Sequence, residues 1–195
     1  FSTNLNFCKF KMKFILLRFA IILLGCAIAT RAAEEKNYKF ILDEVFAEKE
    51  SEDVGKIKVE LVKSEEGVVI NGEAEQLVDL DNEWKVKIAF KSAEDGNREY
   101  NSLMALPPMG VCDFMKFYYR MYIYESLVKY SNAPSPYVCP VVKDNYIVKD
   151  YPLISDKFKK FLRPGYHQIE ASLYNGDEEK MKYIIEGHVV EETEN

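Results

Sequence analysis

From position 84 the chain reads Trp84-Lys85-Val86-Lys87-Ile88-Ala89-Phe90-Lys91, in which polar and apolar residues alternate almost without a break. The same alternation occurs earlier, in Lys56-Ile57-Lys58-Val59-Glu60-Leu61-Val62. Successive side chains of a β-strand point to opposite faces of its sheet, so both stretches predict antiparallel strands with one buried and one solvated face. The alternation therefore indicates a mainly β protein.

Weaker strand signals extend this pattern along the chain, at residues 38–46, 67–71, 75–80, 98–106, 145–148, 166–174 and 180–190. Turn-forming residues separate them, among them Asn71-Gly72, Pro107-Pro108 and Asn175-Gly176-Asp177. The last of these turns predicts a C-terminal hairpin. About seven to nine short antiparallel strands with regular turns predict an immunoglobulin-like β-sandwich or β-cup.

One stretch departs from the two-residue period, from Val111 to about Tyr130. Its apolar residues recur at positions 111, 114, 115, 118, 121, 122 and 128. That spacing puts them along one side of an α-helix, so we predict one amphipathic helix between strands in the middle of the chain. A shorter helical turn is predicted at residues 156–162.

The N-terminal segment has the features of a secretion signal. Met12, Lys13 and Arg18 precede an apolar run of eleven residues at 19–29, which ends in the small residues Ala27 and Ala29. A membrane anchor would need ~20 apolar residues. We therefore predict a signal peptide at 12–33, a single β domain at 34–190 and an acidic tail at 191–195. Residues 1–11 are interpreted as an upstream artefact.

Removal of the predicted signal changes the charge balance. Residues 1–33 contain five of the 26 basic side chains and none of the 32 acidic ones, which leaves a net charge near −11. Nucleic acids and anionic membrane surfaces attract basic patches, so this charge argues against both as partners. The expected location is secreted and extracellular, without a transmembrane anchor.

The cysteines support the same compartment. Cys8 and Cys26 lie before or within the predicted signal, which leaves Cys112 and Cys139. An even number of cysteines in an oxidising environment favours a disulfide over a metal site or a reactive thiol. The alternative is a pair of buried free thiols.

Several short motifs around these cysteines resemble a known family. They are Gly110-Val111-Cys112-Asp113-Phe114, then Ser131-Asn132, Cys139-Pro140 and Leu162-Arg163-Pro164-Gly165-Tyr166. Together they resemble a large insect family of small secreted proteins, catalogued as a domain of unknown function, which includes the chemosensory proteins of the A and B types. The resemblance is strongest over residues 98–190. That family is similar to the ganglioside-activator and ML lipid-recognition superfamily, whose members carry several disulfides where this chain has one candidate.

The resemblance implies an immunoglobulin-like β-cup around an apolar cavity. It also implies a secreted, non-enzymatic binding protein for a lipid or other hydrophobic small molecule, with a role in chemosensation and a membrane receptor or channel as a further partner. The aromatic helix and the alternating strand supply the candidate pocket lining: Trp84, Val86, Ile88, Phe90, Phe114, Phe117, Tyr118, Met121 and Tyr122. Tyrosine suits a pocket mouth because its ring contacts apolar atoms while its hydroxyl stays hydrated.

Two other interpretations remain open at this point. The same nine residues suit an ordinary packed core, which would make the protein a ligand-free immunoglobulin-like module for extracellular protein interactions. An enzyme is less favoured, because no nucleophile elbow, phosphate loop or HExxH motif occurs. His167 and His188 lie in the predicted hairpin and could share a metal, but the pattern offers no third ligand. No catalytic residue, cofactor or metal is expected.

Overall fold

Two antiparallel β-sheets and one helix make up the described part of the chain. The computed structural model describes residues 38–64, 67–94, 96, 98–152 and 163–191. The predicted signal peptide, the predicted helical turn at 156–162 and residues 192–195 of the acidic tail lie outside these ranges. Within the described residues, no helix is long and apolar enough to span a bilayer.

Nine strands are present in the described residues. They are β1 (Tyr38–Lys49), β2 (Gly55–Ser64), β3 (Gly67–Gln76), β4 (Trp84–Ala93), β5 (Asn101–Ala105), β6 (Met109–Gly110), β7 (Asn145–Pro152), β8 (Gly165–Asn175) and β9 (Glu178–Glu191). The larger sheet has the order β1-β9-β8-β4-β5, with β6 also paired to β4, and the smaller sheet has the order β2-β3-β7. The predicted mainly β architecture with one mid-chain helix is confirmed.

The helix, α1, contains 17 residues. It begins with a regular turn at Val111–Phe114, continues as a wider π-type winding at Met115–Tyr124 and ends at Glu125–Leu127. It therefore starts where the apolar periodicity predicts and ends three residues before Tyr130. Of its residues, Val111, Cys112, Met115 and Tyr119 are buried, so one face packs on the protein and the other meets solvent.

The larger sheet is polar on the face turned away from the helix. Lys182 Nζ lies 2.7 Å from a carboxylate oxygen of Glu48 on β1 and 3.8 Å from one of Glu170 on β8. Lys91 on β4 pairs with the same Glu170 carboxylate. This row of opposite charges joins four strands, as the lysines of the alternating stretch predict, because polar residues two positions apart lie on the same face of a sheet.

The turn predicted at Asn71-Gly72 is wrong. β3 runs without interruption through both residues, and its register against β7 shifts between Ile70 and Gly72. The Asn71 side-chain oxygen accepts a hydrogen bond of 2.8 Å from the backbone amide of Asp150 on β7. Asn71 and Gly72 therefore lie at an irregularity inside β3, where an extra residue interrupts the regular strand pairing. They do not form a hairpin turn.

The predicted C-terminal hairpin is confirmed. Asn175 of β8 pairs with Glu178 of β9, so Gly176 and Asp177 form a two-residue turn. Gly176 has φ +60°, a conformation that glycine adopts without a steric penalty. This hairpin supplies two of the three strands in the middle of the larger sheet.

Candidate ligand-binding site

The four candidate residues of β4 form one row on the inner face of the larger sheet. Trp84, Val86, Ile88 and Phe90 are two positions apart, and no irregularity interrupts the pairing of β4 with β8. All four are half-buried. The alternation predicted from the sequence therefore corresponds to one continuous apolar row.

The two neighbouring strands extend this row into a surface. Each of three β4 residues is paired with a residue of β8, which is paired in turn with a residue of β9. The three rows are Val86–Leu173–Met181, Ile88–Ala171–Tyr183 and Phe90–Ile169–Ile185. Residues directly opposite each other in an antiparallel pair share a face. We call this nine-residue surface the inner apolar face.

Two contacts show which way the inner apolar face points. Trp84, Val86 and Leu173 pack against a core cluster that the buried residues of α1 form with Val141. The hydroxyl of Tyr183 accepts a hydrogen bond of 3.1 Å from the backbone amide of Ile57 on β2. The face is therefore directed toward the helix at one end and toward the smaller sheet along its side.

The buried stripe of α1 anchors the helix at that end. Val111, Met115 and Tyr119 are four residues apart and pack with Val141 in a core cluster. The Tyr119 hydroxyl donates a hydrogen bond of 3.1 Å to the carbonyl of Pro134. Burial raises the pKa of Tyr119 far above its ordinary value, so this hydroxyl stays protonated at physiological pH.

Three of the five candidate residues on α1 form a second stripe beside the buried one. The rings of Phe114 and Tyr118 have centroids 6.2 Å apart, and those of Tyr118 and Tyr122 are 6.5 Å apart, with both pairs stacked. All three residues are half-buried, and Phe114 also packs against the core cluster. This stripe borders the packed side of the helix.

The other two candidates on α1 lie on its outer side. The side chain of Phe117 is 59% exposed and that of Met121 is 50% exposed. Helical periodicity groups residues by angle, but it does not indicate where a wide apolar stripe stops facing the protein. The structure thus separates the nine predicted residues into the β4 row, the Phe114–Tyr118–Tyr122 stripe and an exposed pair.

Two open clefts occur elsewhere on the described surface. One, of about 350 Å³, is lined by Arg120, Met121, Glu125 and Tyr137 on the outer side of α1. The other, of about 450 Å³, lies on the smaller sheet and is lined by Glu60, Glu73, Asp150 and neighbouring residues. Charged side chains contribute to both clefts, so neither has the apolar lining that a hydrophobic ligand requires.

A disulfide joins Cys112 to Cys139. The two Cα atoms are 5.8 Å apart and 27 positions apart in sequence. Cys112 is 2% exposed and lies in the first turn of α1, and the Cys139–Pro140 peptide bond is cis. The bond ties the start of the helix to the loop that returns to β7.

Residues 85–169 match a family model described as "Protein of unknown function (DUF1091)". The match begins in β4, includes α1 and both disulfide cysteines, and ends in β8. It therefore covers both helix stripes and the β4 row except Trp84. No curated protein matches the chain.

The structure also brings together a polar cluster that the sequence analysis did not anticipate, with members inside and outside the matched segment. His188 Nδ1 lies 2.9 Å from a carboxylate oxygen of Asp43, and Arg98 Nη1 lies 3.3 Å from the carboxylate of Glu186. Gln168 donates a hydrogen bond of 2.8 Å to the same Glu186 side chain. Asp43 and His188 are 145 positions apart, so no local pattern in the sequence could reveal the pair.

The two histidines of the hairpin do not meet. His188 is paired to Tyr166, and His167 is paired to Gly187, so the two imidazoles lie on opposite faces of the sheet. Among the described residues, no group of three or more His, Cys, Asp or Glu side chains is arranged to hold a metal ion. A metal site shared by His167 and His188 is thus wrong on geometric grounds.

Proposed function

We propose that this protein is a secreted, non-enzymatic binding protein that carries a lipid or other hydrophobic small molecule against the inner apolar face. A role in chemosensation, with a membrane receptor or channel that recognises the loaded protein, belongs to the same proposal. Its support comes from one structural observation and from the resemblance to secreted chemosensory proteins.

The observation that carries the proposal is the incomplete coverage of the inner apolar face. β4, β8 and β9 are interior strands of their sheet, yet Ile88, Phe90, Ile169 and Ile185 are only half-buried. In a filled sandwich, side chains from the opposing sheet interdigitate over such positions at crystal-like density. Apolar surface left uncovered at the centre of a sheet favours an additional apolar molecule.

Burial of apolar area supplies enough free energy for useful affinity. Removal of apolar surface from water is worth ~25 cal/mol per Å² before the costs of ordering the ligand. An acyl chain or terpenoid that buries ~300 Å² would gain several kcal/mol, which corresponds to retention at about micromolar concentration. Phe114, at the start of the Phe114–Tyr118–Tyr122 stripe, packs against the same core cluster as Trp84 and Val86, and the stripe suits a rim, since tyrosine tolerates partial hydration.

The first experiment is native mass spectrometry of the protein secreted from a eukaryotic host and never denatured. We expect a population heavier than the polypeptide by one or more discrete lipid masses, lost after organic extraction. A single bare mass, with no gain after incubation with fatty acids, sterols and terpenoids, would instead support the ligand-free interaction module.

A pair of matched variants localises the bound molecule. Ala171→Phe fills space above the inner apolar face, whereas Ala89→Phe adds the same ring on the opposite face of the sheet. We expect Ala171→Phe to abolish binding of a fluorescent naphthylamine probe and Ala89→Phe to retain it. Equal probe binding by both variants, with both folded by circular dichroism, would place the ligand elsewhere.

A further inference from the structure

The inner apolar face ends in two polar side chains. One step beyond the Phe90–Ile169–Ile185 row, Ser92 of β4 is paired to His167 of β8, and His167 to Gly187 of β9. The pairing of β4 with β8 has no irregularity, so Ser92 and His167 share the face of Ile88 and Phe90. The face is therefore apolar near α1 and polar at the opposite end.

The hydrogen bonding of His167 determines what its ring can offer a ligand. His167 Nε2 lies 2.8 Å from the backbone carbonyl oxygen of Arg163. A carbonyl oxygen only accepts, so Nε2 must carry the hydrogen and donate it. In a neutral imidazole with its hydrogen on Nε2, the other nitrogen, Nδ1, is an acceptor.

Ser92 complements this acceptor. Its hydroxyl both donates and accepts hydrogen bonds. Cβ atoms of directly paired residues are ~5 Å apart, so one small polar group can reach both side chains.

We propose that the ligand of the inner apolar face is a long-chain alcohol whose hydroxyl group lies between Ser92 and His167. This inference rests on the proposed function and names the ligand class for the same site. The hydroxyl would donate its hydrogen to His167 Nδ1 and accept one from Ser92, a combination that satisfies all three groups. Ester and hydrocarbon ends have no hydrogen to donate to His167 Nδ1. A carboxylate has none either, and its negative charge would be repelled by the Nδ1 lone pair.

The length of the face fits a chain molecule. Val86, which packs against the helix cluster, and Ser92 are six positions apart, and Ile88 is four positions from Ser92. At about 3.4 Å per residue the distance to Ser92 is ~20 Å from Val86 and ~14 Å from Ile88, so an extended lipid tail can follow the row. A compact ring system with a polar group at one end would leave much of this length uncovered.

The test compares four ligands with the same chain length and different ends: cetyl alcohol, cetyl acetate, palmitate and hexadecane. Each competes with a naphthylamine probe for the wild-type protein in the same buffer. We expect the alcohol to bind about tenfold more tightly than the acetate or the hydrocarbon, the effect of one or two hydrogen bonds. Equal affinity for all four ends would overturn the proposal while leaving a hydrophobic binding protein.

Three variants assign the preference to the two side chains. His167→Phe keeps the ring but removes Nδ1, and Ser92→Ala removes the hydroxyl. Each should lower alcohol affinity toward the hydrocarbon level, because one of the two hydrogen bonds is lost, and leave hexadecane affinity unchanged. His188→Phe, on the other face of the same sheet, is the matched control and should behave as wild type.

The outcomes separate this inference from the proposed function. A preference for alcohol that persists unchanged in His167→Phe and Ser92→Ala, with both variants folded, would disprove the assigned head-group site. Failure of every apolar ligand to displace or exclude the probe would overturn the proposed function, and the head-group site with it.

Discussion

Cys112 is buried, lies in the first turn of α1 and forms the disulfide with Cys139. Its burial means that a substitution changes both the covalent bond and the packing around it. Cys139 lies in an exposed loop segment, where a substitution affects mainly the bond. Comparison of the two positions therefore separates the contribution of the cross-link from that of the packing.

We predict that Cys112→Ser and Cys139→Ser both lower the free energy of unfolding. The loop closed by a separation of 27 residues contributes ~3.5 kcal/mol on the chain-entropy estimate. Urea unfolding followed by circular dichroism measures the change, and secretion yield should fall in parallel. If one variant kept the wild-type free energy of unfolding and the other lost much of it, the loss could not come mainly from the shared cross-link.

His167 and His188 illustrate how little a residue type says about its role. Both lie in one hairpin, yet His188 contacts Asp43 on the outer side of the sheet while His167 contacts the Arg163 carbonyl on the inner side, next to the inner apolar face. Their difference follows from strand parity, since odd and even positions point to opposite faces. The parity becomes meaningful only when the partner strands and their register are known.

Among the elements, α1 shows both the strength and the limit of periodicity. The apolar spacing correctly predicts a helix that begins at Val111, and it correctly predicts that one side is packed. The candidate list drawn from it nevertheless mixes half-buried Phe114, Tyr118 and Tyr122 with exposed Phe117 and Met121. Aromatic residues around most of the helix circumference leave the boundary of the buried stripe undetermined.

We predict that Met115→Ala and Phe117→Ala, two positions apart on α1, have very different effects. Met115 is 7% exposed in the core cluster, so its truncation should cost about 2–5 kcal/mol of stability. Phe117 is exposed, and its truncation should change stability by less than about 0.5 kcal/mol. Chemical denaturation of both variants provides the test. A large loss at Phe117 would mean that its ring is covered in solution.

For the strands, too, the sequence predicts the type of element better than where each element begins and ends. The alternation from Trp84 to Lys91 correctly identifies β4, and the Asn175-Gly176-Asp177 signal correctly identifies the β8–β9 hairpin. Asn71-Gly72 is an equally strong turn signal that proves to lie inside β3. The amide of Asp150, 79 positions away, stabilises the irregular pairing there through the Asn71 side chain. A contact of such long range overrides the local preference for a turn.

In the molecule as a whole, the core cluster of α1 connects the two sheets. Trp84, Val86 and Leu173 contact it from the larger sheet, and Tyr146 contacts it from β7 of the smaller sheet. The sheets therefore share one packed region although much of the inner apolar face stays half-covered. Such an arrangement couples the unfolding of both sheets to the loss of the helix.

We predict that the protein unfolds in a single transition. Trp84 is the one tryptophan of the chain, and it packs against the helix cluster, so its fluorescence reports on that region. Far-UV circular dichroism reports mainly on the strands of both sheets. The two signals should give the same midpoint and slope in urea. Separate midpoints would indicate that one sheet persists after the helix cluster has been lost.

The sequence by itself determined the class of the protein and the identity of its main elements. Alternation of period two identified the strands, a change of period identified α1, and the count of cysteines favoured the pair Cys112 and Cys139. Each of these inferences depends on residues close in sequence or on simple composition. Local physical chemistry is sufficient for them, because side-chain direction within a strand or helix follows from backbone geometry.

Tertiary structure was required for everything that depends on which strands are neighbours. The order β1-β9-β8-β4-β5 brings Ile88, Ala171 and Tyr183 into one row and sets Ser92 opposite His167. It also joins Asp43 to His188 and leaves Phe117 on the outside of α1. Long-range pairing is selected by the total free energy of packing, and a one-residue change of register would have reversed every face.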